Sequence, residues 1–255
     1  MKKELILIFT AILFVSLTAI SGVYAFEGKK AKIITISKEE MDITGDGLKD
    51  TIYLKAVPYQ DKHSYLKKIF IKIIASNNKT YRISLDSGIH PYIQFADLNH
   101  DKVNDLFVNI PTGGSEGIST NYIYSLRNFT LTNVTVPEPL EIDSSFENRY
   151  KAKIKIEQTN KEYLFNLKDR KKYYEKLGVF YKGKLNEPTE LKVNSFSDMK
   201  PILLKGEEKG LTGIQRITGA ANADIIAYVE SSWKYVNGQW KLVKTEVLQD
   251  VEIEK

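Results

Sequence analysis

Two short segments hold most of the chemistry this sequence offers. Asp42-Ile43-Thr44-Gly45-Asp46-Gly47-Leu48-Lys49-Asp50 places oxygen-bearing side chains at positions 1, 3, 5 and 9, with glycine at position 6. Asp97-Leu98-Asn99-His100-Asp101-Lys102-Val103-Asn104-Asp105 repeats the spacing, with Lys102 in the glycine place. Calcium is a hard cation that takes roughly six to eight oxygens. A loop with ligands at alternate positions wraps them around one point, and the backbone carbonyl at position 7 joins them. The candidate ligands are Asp42, Thr44, Asp46, Leu48 and Asp50 in the first loop, and Asp97, Asn99, Asp101, Val103 and Asp105 in the second. An EF-hand is excluded, because Tyr53 and Val108 stand where it needs a bidentate Glu and a strand pattern follows each loop. The competing reading is that Asp and Asn make ordinary turns before strands. Lys102 counts against the second loop, since position 6 calls for a positive φ.

Other chemistry is thinner. Gly113-Gly114-Ser115-Glu116-Gly117 matches the spacing of a nucleophile elbow and follows a strand pattern. The elbow should open a helix and precede its histidine. Here Tyr122, Tyr124 and Leu126 alternate as a strand does, and His63, His90 and His100 all come before Ser115. The glycines are better read as a bulged turn with free backbone N–H groups, a secondary candidate for an anion or a carbohydrate. Among the acids, Asp86, Glu116, Asp143 and Glu147 are available as an acid and base pair, but no spacing selects two of them. The three histidines are scattered and have no partner at metal-ligand spacing.

The elements that must position these loops follow a leader. Lys2 and Lys3 precede an apolar stretch from Leu5 to Gly22 that ends in Val23-Tyr24-Ala25. This is a signal peptide pattern with cleavage expected after Ala25, giving a secreted or envelope-associated chain. The alternative is an uncleaved anchor, and membrane contact is expected only through that segment. No cysteine is present, so disulfides and thiol chemistry are excluded. The net charge of +5 comes from lysines spread along the chain without an Arg-rich run, which argues against nucleic acid as a partner.

Past the leader, apolar and polar residues alternate with a period of two. Strands are expected at 31–37, 51–57, 68–75, 79–85, 92–96, 105–110, 121–126, 129–136, 151–157 and 162–167. Asn237-Gly238, between Trp233 and Trp240, predicts a tight hairpin. One short helix is expected at 168–177, with Tyr173, Tyr174 and Leu177 on one face. Pro137 and Pro139 mark a break, giving regions 26–140 and 141–255 that pack as one domain. The fold class is mainly β, an antiparallel meander of partial propeller-like form.

Acidic loops with Asp at position 9 running directly into an apolar strand resemble the FG-GAP or VCBS type of repeat of bacterial surface proteins. Asp50-Thr-Ile-Tyr-Leu and Asp105-Leu-Phe-Val-Asn carry the likeness. Pro111-Thr-Gly-Gly-Ser-Glu-Gly followed by Asn121-Tyr-Ile-Tyr-Ser is similar to the Gly-Gly-Ser-Gly-Gly turn of secreted Firmicute VCBS-repeat proteins. Residues 40–126 are covered, and 215–224 is similar to that family's closing segment. The resemblance implies a third acidic loop near 202–210, where Ile-Leu-Leu-Lys-Gly-Glu-Glu-Lys-Gly lacks the required acids.

These readings converge on an exported, calcium-binding, β-rich surface or wall-associated protein that is not an enzyme. Its metal is structural, and its partner is an extracellular protein or a cell-wall polymer. The alternative is a secreted hydrolase acting on cell-wall carbohydrate or peptide.

Overall fold

The computed structural model describes residues 32–59, 62–206 and 208–249. The leader and its cleavage point lie outside the described residues. From Ile34 onward the chain forms one compact unit. The fold is mainly β and antiparallel, with one short helix. Strands β1 (Ile34–Met41), β2 (Asp50–Tyr59), β3 (Lys62–Ile74) and β4 (Thr80–Leu85) form a first sheet in chain order. β5 (Tyr92–Ala96), β6 (Asp105–Pro111), β7 (Ser119–Ser125) and β8 (Thr132–Val134) form a second. β9 (Ile142–Glu147), β10 (Lys151–Ile156) and β11 (Lys161–Asn166) make a three-stranded third sheet. A small ribbon, β12 (Phe180–Tyr181) with β13 (Lys184–Leu185), precedes the last sheet. That sheet comprises β14 (Lys192–Leu203), β15 (Lys209–Thr218), β16 (Ile225–Val236) and β17 (Gln239–Gln249). Among the described strands, no sheet closes on itself.

The cores follow from which faces are apolar. Ile52, Leu54 and Ala56 of β2 and Ile69, Ile71 and Ile73 of β3 turn inward, meeting Leu106, Val108 and Ile110 of β6. Phe107 and Ile123, on the opposite face of the second sheet, pack against Phe196, Met199 and Leu211 of the last sheet. The second sheet is therefore covered on both sides. This corrects the expectation of a half-buried strand at 105–110, since Asp105–Ile110 is buried at every position. A third core joins the β9–β11 sheet to β15 and β16 through Phe146, Ile154, Phe165, Ile217 and Val229.

Helix α1 (Lys171–Lys176) follows a 3-10 turn at Lys168–Arg170, in the segment expected to be helical. Asp169 in the opening turn and Lys176 in the last complement the helix dipole. Gly178, at φ +77°, ends the helix, with its N–H bonded to the Glu175 carbonyl. Tyr174 is driven into the core, where its ring lies edge-on to Phe146 with centroids 5.2 Å apart. The β16–β17 hairpin turns at Asn237 and Gly238, with φ +52° and +82°, as a two-residue turn requires. Where the resemblance implies a third acidic loop, Leu203 ends β14 and Lys209 opens β15. That stretch is a hairpin connection.

Candidate functional site

Both acidic loops link antiparallel neighbours, β1 to β2 and β5 to β6, and they are conformational copies of one another. At position 1, Asp42 accepts the Gly45 and Gly47 N–H groups at 2.7 and 2.9 Å. Asp97 likewise accepts Asp101 and Lys102 N–H at 2.9 and 3.0 Å. At position 5, Asp46 takes the Leu48 N–H and Asp101 the Val103 N–H, each at 2.9 Å. At position 9, Asp50 takes the Ile43 N–H and Asp105 the Leu98 N–H, again at 2.9 Å. Positions 4 and 6 have positive φ in both loops: +78° and +84° at Gly45 and Gly47, +61° and +72° at His100 and Lys102. Lys102 thus adopts the backbone that glycine supplies in the first loop, at the cost of left-handed strain.

Each loop is tied to a strand beyond it. The Ser76 hydroxyl donates to Asp46 at 2.5 Å while the Ser76 N–H reaches Asp50 at 2.9 Å. The Ser76 hydrogen bond, followed by that from the Leu48 N–H, holds the Asp46 carboxyl below the usual range. In the second loop the Arg127 guanidinium donates to the Asp101 carbonyl at 2.7 Å and lies 3.6 Å from its carboxylate. Burial pushes the Asp105 carboxyl up to about 6, against the N–H groups of Asn99 and Leu98, which lower it. The neighbouring Asp101 charge adds to the rise.

The two loops touch. A Cβ built on Gly45 would stand 2.7 Å from Val103 Cγ2. The turn at Arg127–Phe129 reaches both: Arg127 binds Asp101, and the Asn128 N–H donates to the Thr44 carbonyl at 2.9 Å.

Among the described residues, no group of three His, Cys, Asp or Glu side chains lies close enough to hold a metal ion. The loop carboxylates instead accept N–H groups of their own loops. Their chemistry still fits a hard cation: the set is all oxygen, and a carboxylate offers about four lone-pair sites. Asp50, with one N–H on each oxygen, keeps acceptor capacity to spare. Buried negative charge at Asp105 beside Asp101 is the electrostatic deficit that a cation relieves. Asp42, Thr44, Asp46, Asp50 and the Leu48 carbonyl would hold one ion, and Asp97, Asn99, Asp101, Asp105 and the Val103 carbonyl another.

Two substitutions test this geometry. Gly47 has open space around its Cβ position, so Gly47→Ala is expected to cost about 1 kcal/mol through backbone strain alone. Gly45→Ala adds the collision with Val103, and its urea midpoint is expected to fall further, by about 2 kcal/mol in stability. In the other direction, Lys102→Gly should raise stability by about 0.5–1 kcal/mol by releasing a strained residue.

The glycine-rich loop that follows β6 opens strand β7 and no helix. The Gly117 N–H is used on the Gly114 carbonyl at 3.0 Å. Arg216 of β15 donates to the Ser115 and Glu116 carbonyls, Asn222 donates to the Ser115 hydroxyl at 2.9 Å, and Glu116 pairs with Lys192. The loop is a clasp between the two halves of the chain. Of the candidate acid pairs, Asp143 and Glu147 both lie on β9, four residues apart. An extended strand separates their Cα atoms by about 13 Å, beyond the roughly 5–9.5 Å that glycoside hydrolysis uses. Asp143, Lys153, Lys155 and Glu162 line an open groove of about 640 Å³ of mixed charge.

Sequence reasoning missed two anchors in the segment 215–224. The buried Gln215 amide accepts the Leu140 N–H at 2.7 Å and donates to the Leu140 and Asn194 carbonyls at 3.2 and 3.3 Å. Asp224 accepts from the Tyr174 hydroxyl at 2.7 Å, Arg170 at 2.9 Å and the Ala220 N–H at 3.0 Å. Burial, then the bond to Asp224, raises the Tyr174 hydroxyl far above its ordinary range. Gly219 faces this carboxylate so closely that a Cβ would lie 2.2 Å from its oxygen. A polar residue in an apolar stretch was the available signal, but without its partners in view it reads as surface.

A family model described as the YybI C-terminal domain matches residues 140–248. The chain is also similar to "Uncharacterized protein YybI" of Bacillus subtilis (strain 168), 27% identical over 225 residues, covering 85% of each chain. No solved structure matches.

Proposed function

We propose that this chain is an exported, calcium-stabilised β-rich protein of the cell surface or wall that binds an envelope partner, with the metal in a structural role. The observation carrying the reading is the matched pair of acidic loops, whose position 1, 5 and 9 carboxylates accept corresponding hydrogen bonds. Ordinary turns before strands have no reason to share a nine-residue donor and acceptor pattern. The likeness to FG-GAP or VCBS repeats belongs to the same proposal, as does export through the N-terminal leader. A bound calcium would neutralise the loop carboxylates and pin the ends of β1, β2, β5 and β6. No nucleophile or base is placed beside either loop to use it as a Lewis acid.

Thermal unfolding with and without chelator tests the reading. An ion that binds only the folded state stabilises it by about 2.7 kcal/mol at a hundredfold excess over its dissociation constant. EDTA is therefore expected to lower Tm by several degrees, and calcium to restore it while magnesium does so poorly. A transition unmoved by EDTA and by millimolar calcium would remove the metal from the account.

A further inference from the structure

The first sheet presents an outer face that its core does not use. Cross-strand pairing sets Lys38, Tyr53, Lys72 and Arg82 in one row across β1 to β4. The next row is Thr35, Lys55, Phe70 and Ser84, and Lys68 stands opposite Val57 in the third. Lys38, Lys68 and Arg82 are exposed, and Lys55 and Lys72 are half-buried. Glu40 is the carboxylate on this face, and it is matched by Lys38 at 2.8 Å. Lys72 and Arg82 stand directly opposite each other, a like-charged pair that weakens a sheet unless an anion lies across it.

The two aromatic rings of the face are covered by cations. The Arg82 guanidinium lies 3.8 Å above the Phe70 ring centroid, and Lys55 lies 5.1 Å from that of Tyr53. The cationic groups are therefore laid flat on the sheet, in a strip about 14 Å wide at the usual strand spacing. A bilayer would reward bare aromatic or aliphatic side chains between the lysines, and here both rings lie beneath charge. A flat strip of cations suits a flexible chain with one negative charge per repeat: lysine meets each charge as a point and arginine as a planar fork.

We infer that this outer face of β1–β4 binds a soluble linear phosphodiester polymer, through Lys38, Lys55, Lys68, Lys72 and Arg82. The inference goes beyond the calcium reading and does not depend on it, because none of these residues belongs to either acidic loop.

The test uses the full chain and a fluorescent synthetic poly(glycerol phosphate), a weak calcium chelator, followed by anisotropy in calcium-containing buffer. Binding is expected at low salt, with affinity falling steeply as sodium chloride rises. The double variant K72Q/R82Q should weaken binding at least about tenfold, whereas K161Q/K184Q, exposed lysines of other sheets, should change it less than about twofold. The urea midpoint of K72Q/R82Q should not fall, since a repulsion has been removed. Phosphatidylglycerol vesicles, which offer the same headgroup on a lipid, form the second arm. Equal weakening by both double variants, failure of the wild type to bind, or a dependence on Lys72 and Arg82 seen with vesicles alone would each overturn the inference. So would a lowered midpoint for K72Q/R82Q, which would assign that pair to the fold. Loss of calcium stabilisation under EDTA would leave this result standing, so the two proposals fail separately.

Discussion

Asp224→Ala is expected to lower folding stability by about 3–5 kcal/mol, seen as a reduced urea midpoint at nearly unchanged slope. The cost arises from what the variant leaves behind. The Tyr174 hydroxyl, in a fully buried side chain, loses its acceptor, Arg170 loses its carboxylate, and the Ala220 N–H loses its partner. Tyr174 also meets Phe146 and Phe180, so displacement of its ring disturbs the core beneath β9–β11. Tyr174→Phe removes one hydrogen bond and keeps the ring, and it should cost only about 1 kcal/mol. If Asp224→Ala proves no worse than Tyr174→Phe, the carboxylate does not organise this corner of the fold.

Asp105→Ala should cost about 2–4 kcal/mol, and Asp50→Ala should match it. Both side chains are fully buried and serve backbone donors: Leu98 and Asn99 for Asp105, Ile43 and Ser76 for Asp50. Asp46→Ala, at an exposed position of the same loop, is expected to cost less than about 1 kcal/mol without calcium. Because Gly45 packs on Val103 and the Arg127–Phe129 turn grips both loops, the double variant of Asp50 and Asp105 should depart from additivity by at least about 0.5 kcal/mol. Strict additivity would show that the loops act alone. Equal costs at Asp46 and Asp50 would show that burial does not govern the effect.

Much of the first half was legible because its strands are covered on one face and its turns carry their own chemistry. Period-two alternation marked β2, β3 and β10, and Asn237-Gly238 marked the last hairpin. Other strands escaped for identifiable reasons. The first expected strand, 31–37, lies at Ile34–Met41 because a bulge between Thr35 and Ser37 shifts its phase and its edge position tolerates Lys38, Glu39 and Glu40. β14 has register shifts between Val193 and Asp198 and contains Pro201, which an edge strand accommodates. β15 is an interior strand whose buried run, Leu211–Gly213, has no alternation to detect. The acidic loops were visible as spacing. Their mutual contact was not, because it depends on how the first two sheets stack, and neither was the bridging role of Arg127.

The order of the strands bears on how this chain acquires its structure. Within every sheet each strand is bonded to neighbours next to it in sequence, so pairing never waits for a distant segment. Contact order is accordingly modest for a β protein, and loop closure costs little at each step. A polypeptide emerging N-terminus first can complete β1–β4 and then β5–β8 as successive hairpins, leaving the docking of the last sheet onto Phe107 and Ile123 as the late event.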